Sequence, residues 1–273
     1  MRLLAYFLAL CLLPATLRAV EIIAHRGASA DAPENTLTSM KLAWEQKADA
    51  VELDLYLSKD GRLIVFHDGD TKRIGGTNRK ISDLTWDEVQ QLDVGIWKDP
   101  KFRGERVPLL EDILATIPAG CRAVLEIKCG PEILPEFVRV LKASKRPAKD
   151  LCVISFNYET LRQSKPLLPE LEHQFLSGYK KDAKTGEFPK LAPLIEKAKA
   201  AKLDALSLNS DWPMTAEFVA QVKDAGLKLY AWTVDNPAVA KRLIEAGVAG
   251  VTTNKPGWLR EQLKGGGAPA KKP

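Results

Sequence analysis

The sequence predicts a closed (β/α)8 TIM barrel, and three observations carry the prediction. Short apolar runs of strand type alternate strictly with amphipathic helical segments, which demands a parallel sheet covered by helices. Eight such units fit into about 250 residues, the size of this architecture. No G-x-G-x-x-G follows the first strand, which disfavours an open doubly wound sheet.

In chain order, residues 1–19 come first. They have a basic start, Met1-Arg2, an apolar run from Leu3 to Leu13 too short to span a bilayer, and a small residue, Ala19, at the end. That is the pattern of a secretory signal peptide, so the chain is expected to be exported, periplasmic or secreted, from a cut after Ala19. Residues 21–25 form the first strand. A polar loop follows, with Asn35 or Thr36 capping an amphipathic helix that runs to about Lys47. The second strand holds Val51-Glu52-Leu53-Asp54-Leu55, and a turn at Lys59-Asp60-Gly61 leads to Leu63-Ile64-Val65-Phe66-His67-Asp68. Residues 69–108 lack periodicity except at 85–92, and so read as an insertion over the mouth of the barrel. Beyond it the rhythm is regular: helices at 109–117, 133–143, 158–166, 191–201, 215–224 and 237–246, and strands at 123–128, 151–155, 171–176, 205–208, 227–232 and 250–252. The barrel domain therefore takes residues 20–264, and 265–273 is a Gly/Pro/Lys tail expected to be disordered.

Composition narrows the partners. With 45% hydrophobic and 27% charged residues the chain is of ordinary globular type. Without residues 1–19 it carries 38 basic and 35 acidic residues, a balance of +3. No Lys/Arg block or basic-aromatic stripe is present, which argues against nucleic acid, and no later apolar run is long enough for a transmembrane anchor after signal removal. Cys121, Cys129 and Cys152 are odd in number and lack CxxC spacing, which excludes a disulfide framework and most zinc sites and leaves a Cys121–Cys152 bridge as the one pairing open.

The polar residues then gather at one end. Glu52 and Asp54 share a strand face because side chains alternate. Reading Asp60-Gly61 as a two-residue hairpin loop pairs 59 with 62 and 54 with 67, so His67 stands opposite Asp54. In a barrel the active site lies at the C-terminal ends of the strands. His25 and Arg26 end the first strand, Glu126 and Lys128 the third, and Trp232 the seventh. Glu52, Asp54 and Glu126 offer hard oxygen ligands only, which suits a divalent cation such as Mg²⁺ or Ca²⁺. Such a cation beside Arg26 and Lys128 makes a site for a phosphate, and two histidines supply a base and an acid for a phosphodiester. Asp68 is open to three roles: assisting the metal, positioning His67, or capping a loop. His173 is expected to be structural, and Gly75-Gly76 a flexible turn.

Several linked motifs, His25-Arg26-Gly27, Ala32-Pro33-Glu34-Asn35-Thr36, Glu52-Leu53-Asp54, Lys59-Asp60-Gly61, His67-Asp68 and Leu125-Glu126-Ile127-Lys128, together resemble the glycerophosphodiester phosphodiesterase family over about residues 21–260. The resemblance implies a divalent metal on Glu52, Asp54 and Glu126, catalytic His25 and His67, and Arg26 and Lys128 at phosphate-contacting positions. It also implies an aromatic, Trp232, near the substrate, and hydrolysis of a small-molecule glycerophosphodiester to sn-glycerol 3-phosphate and an alcohol. One departure is Asn254, where the family usually has Asp after Thr253. Either residue caps a helix equally well, so Asn254 is expected to cap the last helix and to bear on no chemistry. Two other readings stand beside this one: a phosphodiester lyase or phospholipase of the same fold that forms a cyclic phosphate, and a non-catalytic binding barrel.

Overall fold

The computed structural model describes residues 20–264, so the signal-peptide and tail expectations, 1–19 and 265–273, lie outside the described residues. β1 (Glu21–His25) leads to α1 (Leu37–Glu45), and β2 (Ala50–Leu57) turns back into the short β3 (Leu63–Val65). After the one-turn α2 (Trp86–Val89) the alternation begins: α3 (Leu110–Thr116), β4 (Arg122–Ile127), α4 (Leu134–Ser144), β5 (Leu151–Ser155), α5 (Tyr158–Leu167) and β6 (Glu172–Ser177). It continues through α6 (Leu191–Ala200), β7 (Ala205–Asn209), α7 (Ala216–Asp224), β8 (Lys228–Trp232), α8 (Pro237–Ala246), β9 (Gly250–Thr253) and α9 (Pro256–Lys264). β1 pairs in parallel with both β2 and β9, which closes β1, β2 and β4 to β9 into an eight-stranded barrel. β3 is an antiparallel arm on the outside of β2.

Strand alternation divides the core. The inward residues Ile23, Ala50, Val124, Cys152, Ile154, Leu176, Ala205 and Tyr230 fill the barrel, while Val51, Leu53, Leu125, Val153 and Leu206 pack outward beneath the helices. The barrel is thus a packed interior on which polar side chains can stand only near its ends. Thr36 caps α1 in a reciprocal capping box with Ser39, and Asn157, Thr215 and Asn236 cap α5, α7 and α8. Cys121, Cys129 and Cys152 are free thiols, so the Cys121–Cys152 bridge does not form.

The hairpin register departs from the sequence reading. Ser58 N–H donates to Arg62 O at 2.9 Å and Gly61 takes φ +80°, so the loop is the three residues Lys59-Asp60-Gly61 with glycine in the left-handed position. Leu57 then faces Leu63 and Leu55 faces Val65, and the Phe66 N–H donates to Asp54 O at 3.0 Å. Phe66, not His67, stands opposite Asp54. The Ser58 hydroxyl stabilises the longer loop, bonding Asp60 at 2.7 Å and accepting from Arg62 N–H at 2.8 Å.

Residues 69–108 build a second small core on this arm. Ile64, Phe66, Ile74, Ile81, Leu84, Val89, Val94, Val107 and Leu109 pack together with Tyr56. Lys98 Nζ donates to Ser29 O at 2.8 Å, Arg73 bonds both Glu34 oxygens, and Thr38 Oγ1 bonds Glu105. The segment is therefore tied to the loop that follows β1 and to the first turn of α1.

Candidate active site

Strand register sets the level of the polar residues. His25 lies beside Glu52 and Asp54 beside Glu126 in adjacent parallel strands. The chain leaves β1 through Arg26 at φ +55° and Gly27 at φ +79°. A Cβ on Gly27 would sit 2.5 Å from Ser39 Oγ, so the turn packs directly onto α1. That turn aims the Arg26 N–H at Glu52 Oε2, 3.0 Å away, and its guanidinium at Asp54 Oδ2, 3.2 Å, and Glu34 Oε1, 2.9 Å.

Glu52, Asp54 and Glu126 are 3%, 1% and 8% exposed, and each offers an oxygen within 4.8 Å of the others. Among the described residues Glu52 Oε1, Asp54 Oδ1 and Glu126 Oε1 have no well-formed hydrogen bond. Only Lys128 Nζ approaches, 2.8 Å from Glu126 Oε1 and 3.4 Å from Asp54 Oδ1. Burial, then the charges of Asp54 and Glu126, pushes the Glu52 carboxyl well above its usual range. Burial and Asp54 push Glu126 up to about 7 against the pull of Lys128. Asp54 is also buried, but Lys128, Arg26 and an Asn35 amide hydrogen bond of 2.8 Å more than offset this and hold it low. Buried carboxylate oxygens that Lys128 alone approaches, in a cluster too crowded with acids to ionise fully, are what a divalent cation would complete.

The histidines flank the cluster. His25 Nε2 is 4.0 Å from Glu52 Oε2, and its Nδ1 is 2.7 Å from Asn254 Oδ1. Burial and then the Arg26 charge lower it to about 4. His67 Nδ1 is 2.6 Å from Asp68 Oδ1, and Asp68 is held in turn by Arg73 Nε at 2.7 Å. Burial lowers His67 too, with Asp54 and Asp68 pulling it back up. Of the three roles open to Asp68, the geometry selects the positioning of His67.

A cavity of about 220 Å³ joins these groups. One wall is polar, with His25, Arg26, Glu52, His67, Glu126 and Lys128, and the other is apolar, with Ile154, Phe156, Leu176 and Trp232. Trp232 donates its Nε1–H to Ser207 O at 3.0 Å and meets Phe156 edge to face at 5.5 Å. All eight residues singled out in the sequence therefore converge on one mouth, Asp54 through its contacts with Arg26 and Lys128. His173 does not join them: it is fully buried, with Nδ1 3.0 Å from Leu171 O.

Sequence reading missed four contributors. Glu34 and Asn35 lay inside a quoted motif, and Asn35 is a residue type that tolerates the φ of +59° needed to turn its amide toward Asp54. Asp235 carries no motif. Asn254 does not act as the expected helix cap: its side chain turns inward, bonding His25, Ser29 and Asp235, while the Lys255 N–H goes to Thr253 Oγ1.

The fold and this site define a class: a TIM-barrel enzyme with an acidic metal site suited to phosphate esters. Residues 25–258 match the model of the Glycerophosphoryl diester phosphodiesterase family, and the chain belongs to that family as a phosphoric diester hydrolase. A glycerophosphodiester phosphodiesterase of Caldanaerobacter subterraneus is 35% identical over 251 residues, covering 90% of this chain and 98% of the relative. An Oleispira antarctica phosphodiesterase, solved in complex with the product sn-glycerol-3-phosphate, is 29% identical with a TM-score of 0.80, covering 90% of this chain and 97% of that one. The glycerophosphodiester phosphodiesterase of Thermotoga maritima is 25% identical with a TM-score of 0.71, covering 89% and 98%.

Proposed function

We propose that this enzyme hydrolyses glycerophosphodiesters to sn-glycerol 3-phosphate and an alcohol, with Glu52, Asp54 and Glu126 holding one Mg²⁺ or Ca²⁺. The observation that carries the reading is the cluster of three buried carboxylates whose facing oxygens have no donor but Lys128, set between the cations of Arg26 and Lys128. The product held by the Oleispira relative supports the glycerol phosphate half of the substrate. When bound, the cation supplies positive charge against the phosphoryl oxygens.

The chain's own residues do the rest. Arg26 has five donors and Lys128 three, so each can keep its carboxylate partner and still take a phosphate oxygen. His25, lowered to about 4, is neutral near pH 7 and is the base that takes a proton from the attacking water. Burial lowers His67 as well, but Asp54 and its Asp68 partner, 2.6 Å from Nδ1, favour the charged ring, and His67 is the group that delivers a proton to the leaving alkoxide. His67 also lines a broad basin with Tyr56, Asp68 and Arg73, through which the alcohol can leave. Trp232 and Phe156 form the apolar wall against the substrate's carbon atoms.

The test is product analysis on the choline, ethanolamine and inositol diesters of glycerol phosphate. The expected products are free alcohol and sn-glycerol 3-phosphate, detected with its dehydrogenase. A cyclic phosphate would overturn hydrolysis by water in favour of internal attack. We also infer export, supported by the basic, apolar and small-residue pattern of residues 1–19. Secreted or periplasmic protein should begin near Val20 on N-terminal sequencing, and a cytoplasmic product beginning at Met1 would contradict it.

A further inference from the structure

We propose that Asp235 and Asn254 are positioning residues that fix the His25 ring in one tautomer, with the proton on Nδ1 and a bare Nε2 facing the carboxylate cluster. The inference rests on the reading of His25 as a proton acceptor, and it follows from counting donors outward from the backbone. Asp235 Oδ1 accepts the Asn254 backbone N–H at 2.8 Å and the Thr253 hydroxyl at 2.8 Å. Its Oδ2 lies 2.6 Å from the Asn254 side-chain amide. A carboxylate only accepts, so the NH₂ end of that amide must face Asp235. The carbonyl end therefore faces the barrel, where it takes the Ser29 hydroxyl at 2.9 Å and lies 2.7 Å from His25 Nδ1. An amide oxygen has no proton to give, so Nδ1 must supply the one in that contact. In the neutral ring this leaves Nε2, 4.0 Å from Glu52 Oε2, as the free lone pair.

The backbone makes the orientation stiff. Asn254 O accepts the Ala30 N–H at 3.0 Å, so the residue is held on both sides of its side chain. The arrangement also accounts for amide rather than carboxylate at this position. An acid at 254 would set two carboxylates against each other where a donor and an acceptor now meet at 2.6 Å. Loss of an outer residue that orients a working side chain costs roughly 10–100-fold in activity.

Ring ¹⁵N spectroscopy reads the tautomer directly, and the chain has only three histidines. With histidine-labelled enzyme in Mg²⁺ buffer, the His25 signals, assigned by their loss in His25→Gln, should show protonated Nδ1 and bare Nε2. Asp235→Asn frees the Asn254 amide to turn over. It should mix the tautomers and lower kcat roughly 10–100-fold with KM within about twofold. The double exchange Asp235→Asn with Asn254→Asp restores one donor and one acceptor, and should recover both the spectrum and most of kcat. Wild-type signals of the Nε2–H tautomer, or an unchanged spectrum and kcat in Asp235→Asn, would overturn the proposal. The wild-type spectrum decides even if Asp235→Asn does not fold. Full activity in His25→Gln would instead sink the base assignment, while leaving the tautomer question to the spectrum.

Discussion

The two ends of the barrel are built from the same strands and treat charge in opposite ways. At the N-terminal end, Arg122 at the start of β4 lies 3.1 Å from Glu21 and 3.4 Å from Glu172, and Lys228 lies 2.5 Å from Glu172. Two acids meet two bases there. Burial would raise Glu172, but Arg122 and Lys228 outweigh it and hold the carboxyl at about 2. At the other end, Glu126 further along β4 joins Glu52 and Asp54 of β2, the three carboxylates share Arg26 and Lys128, and Glu126 is pushed up to about 7. The lower cluster matches its acids with bases from within the chain, although burial, with Glu172 and Asp49 nearby, still raises Glu21 against the pull of Arg122. The upper one is left short of positive charge, which destabilises the protein alone and suits it to a cation and a phosphate.

The largest break in this comparison should come from metal removal. Exhaustive chelation is expected to abolish hydrolysis, and Mg²⁺ or Ca²⁺ to restore it; full activity in the stripped enzyme would mean that the upper cluster needs no cation. Next are the histidines. His67→Ala should cost about 10²–10⁴-fold on a glycerophosphodiester and far less on a nitrophenyl diester, whose leaving group departs almost unaided. His25→Ala should cost similar amounts on both, and the reverse pattern would exchange their roles.

Stability against pH separates the two ends more gently. Glu126 is raised in the fold, so in metal-free protein the folded state binds the extra proton. Stability should fall as pH rises from about 4.5 to about 7, by at most about 1.4 kcal/mol per pH unit for one group. Glu172 is depressed, so its contribution is present above about 4.5 and is lost as pH falls toward 2. Urea denaturation across pH checks both slopes, and Mg²⁺ should flatten the upper one only. The smallest effect is Lys228→Met, whose half-exposed ion pair should cost about 1 kcal/mol or less and leave kcat unchanged. A large loss of kcat would show that the two ends are coupled.

How much of this was legible depended on distance along the chain. Glu52 and Asp54 could be paired from strand parity alone, and the βα rhythm placed Glu126, Lys128 and Trp232 at the same mouth. The hairpin register was off by one because a glycine-ended turn reads alike at two or three loop residues, and only the Ser58 hydroxyl bonds distinguish them. Asn254 was mistaken for a cap because the cap preference of Asn is local, whereas its partners His25 and Asp235 are 229 and 19 residues away. The lower cluster passed unnoticed since Glu21, Arg122, Glu172 and Lys228 each open a strand singly, where a charge reads as surface.

The central claim, that the upper cluster is unbalanced until a cation binds, is tested most directly by thermal unfolding of Glu52→Gln beside wild type, with and without Mg²⁺. The amide keeps an oxygen for the Arg26 N–H and cannot ionise, so it removes the charge that burial, Asp54 and Glu126 already oppose. Metal-free Glu52→Gln should melt above metal-free wild type, and Mg²⁺ should raise the wild type while leaving the variant nearly unmoved. A variant that melts lower than metal-free wild type, with both proteins indifferent to Mg²⁺, would make Glu52 a structural carboxylate and contradict the account.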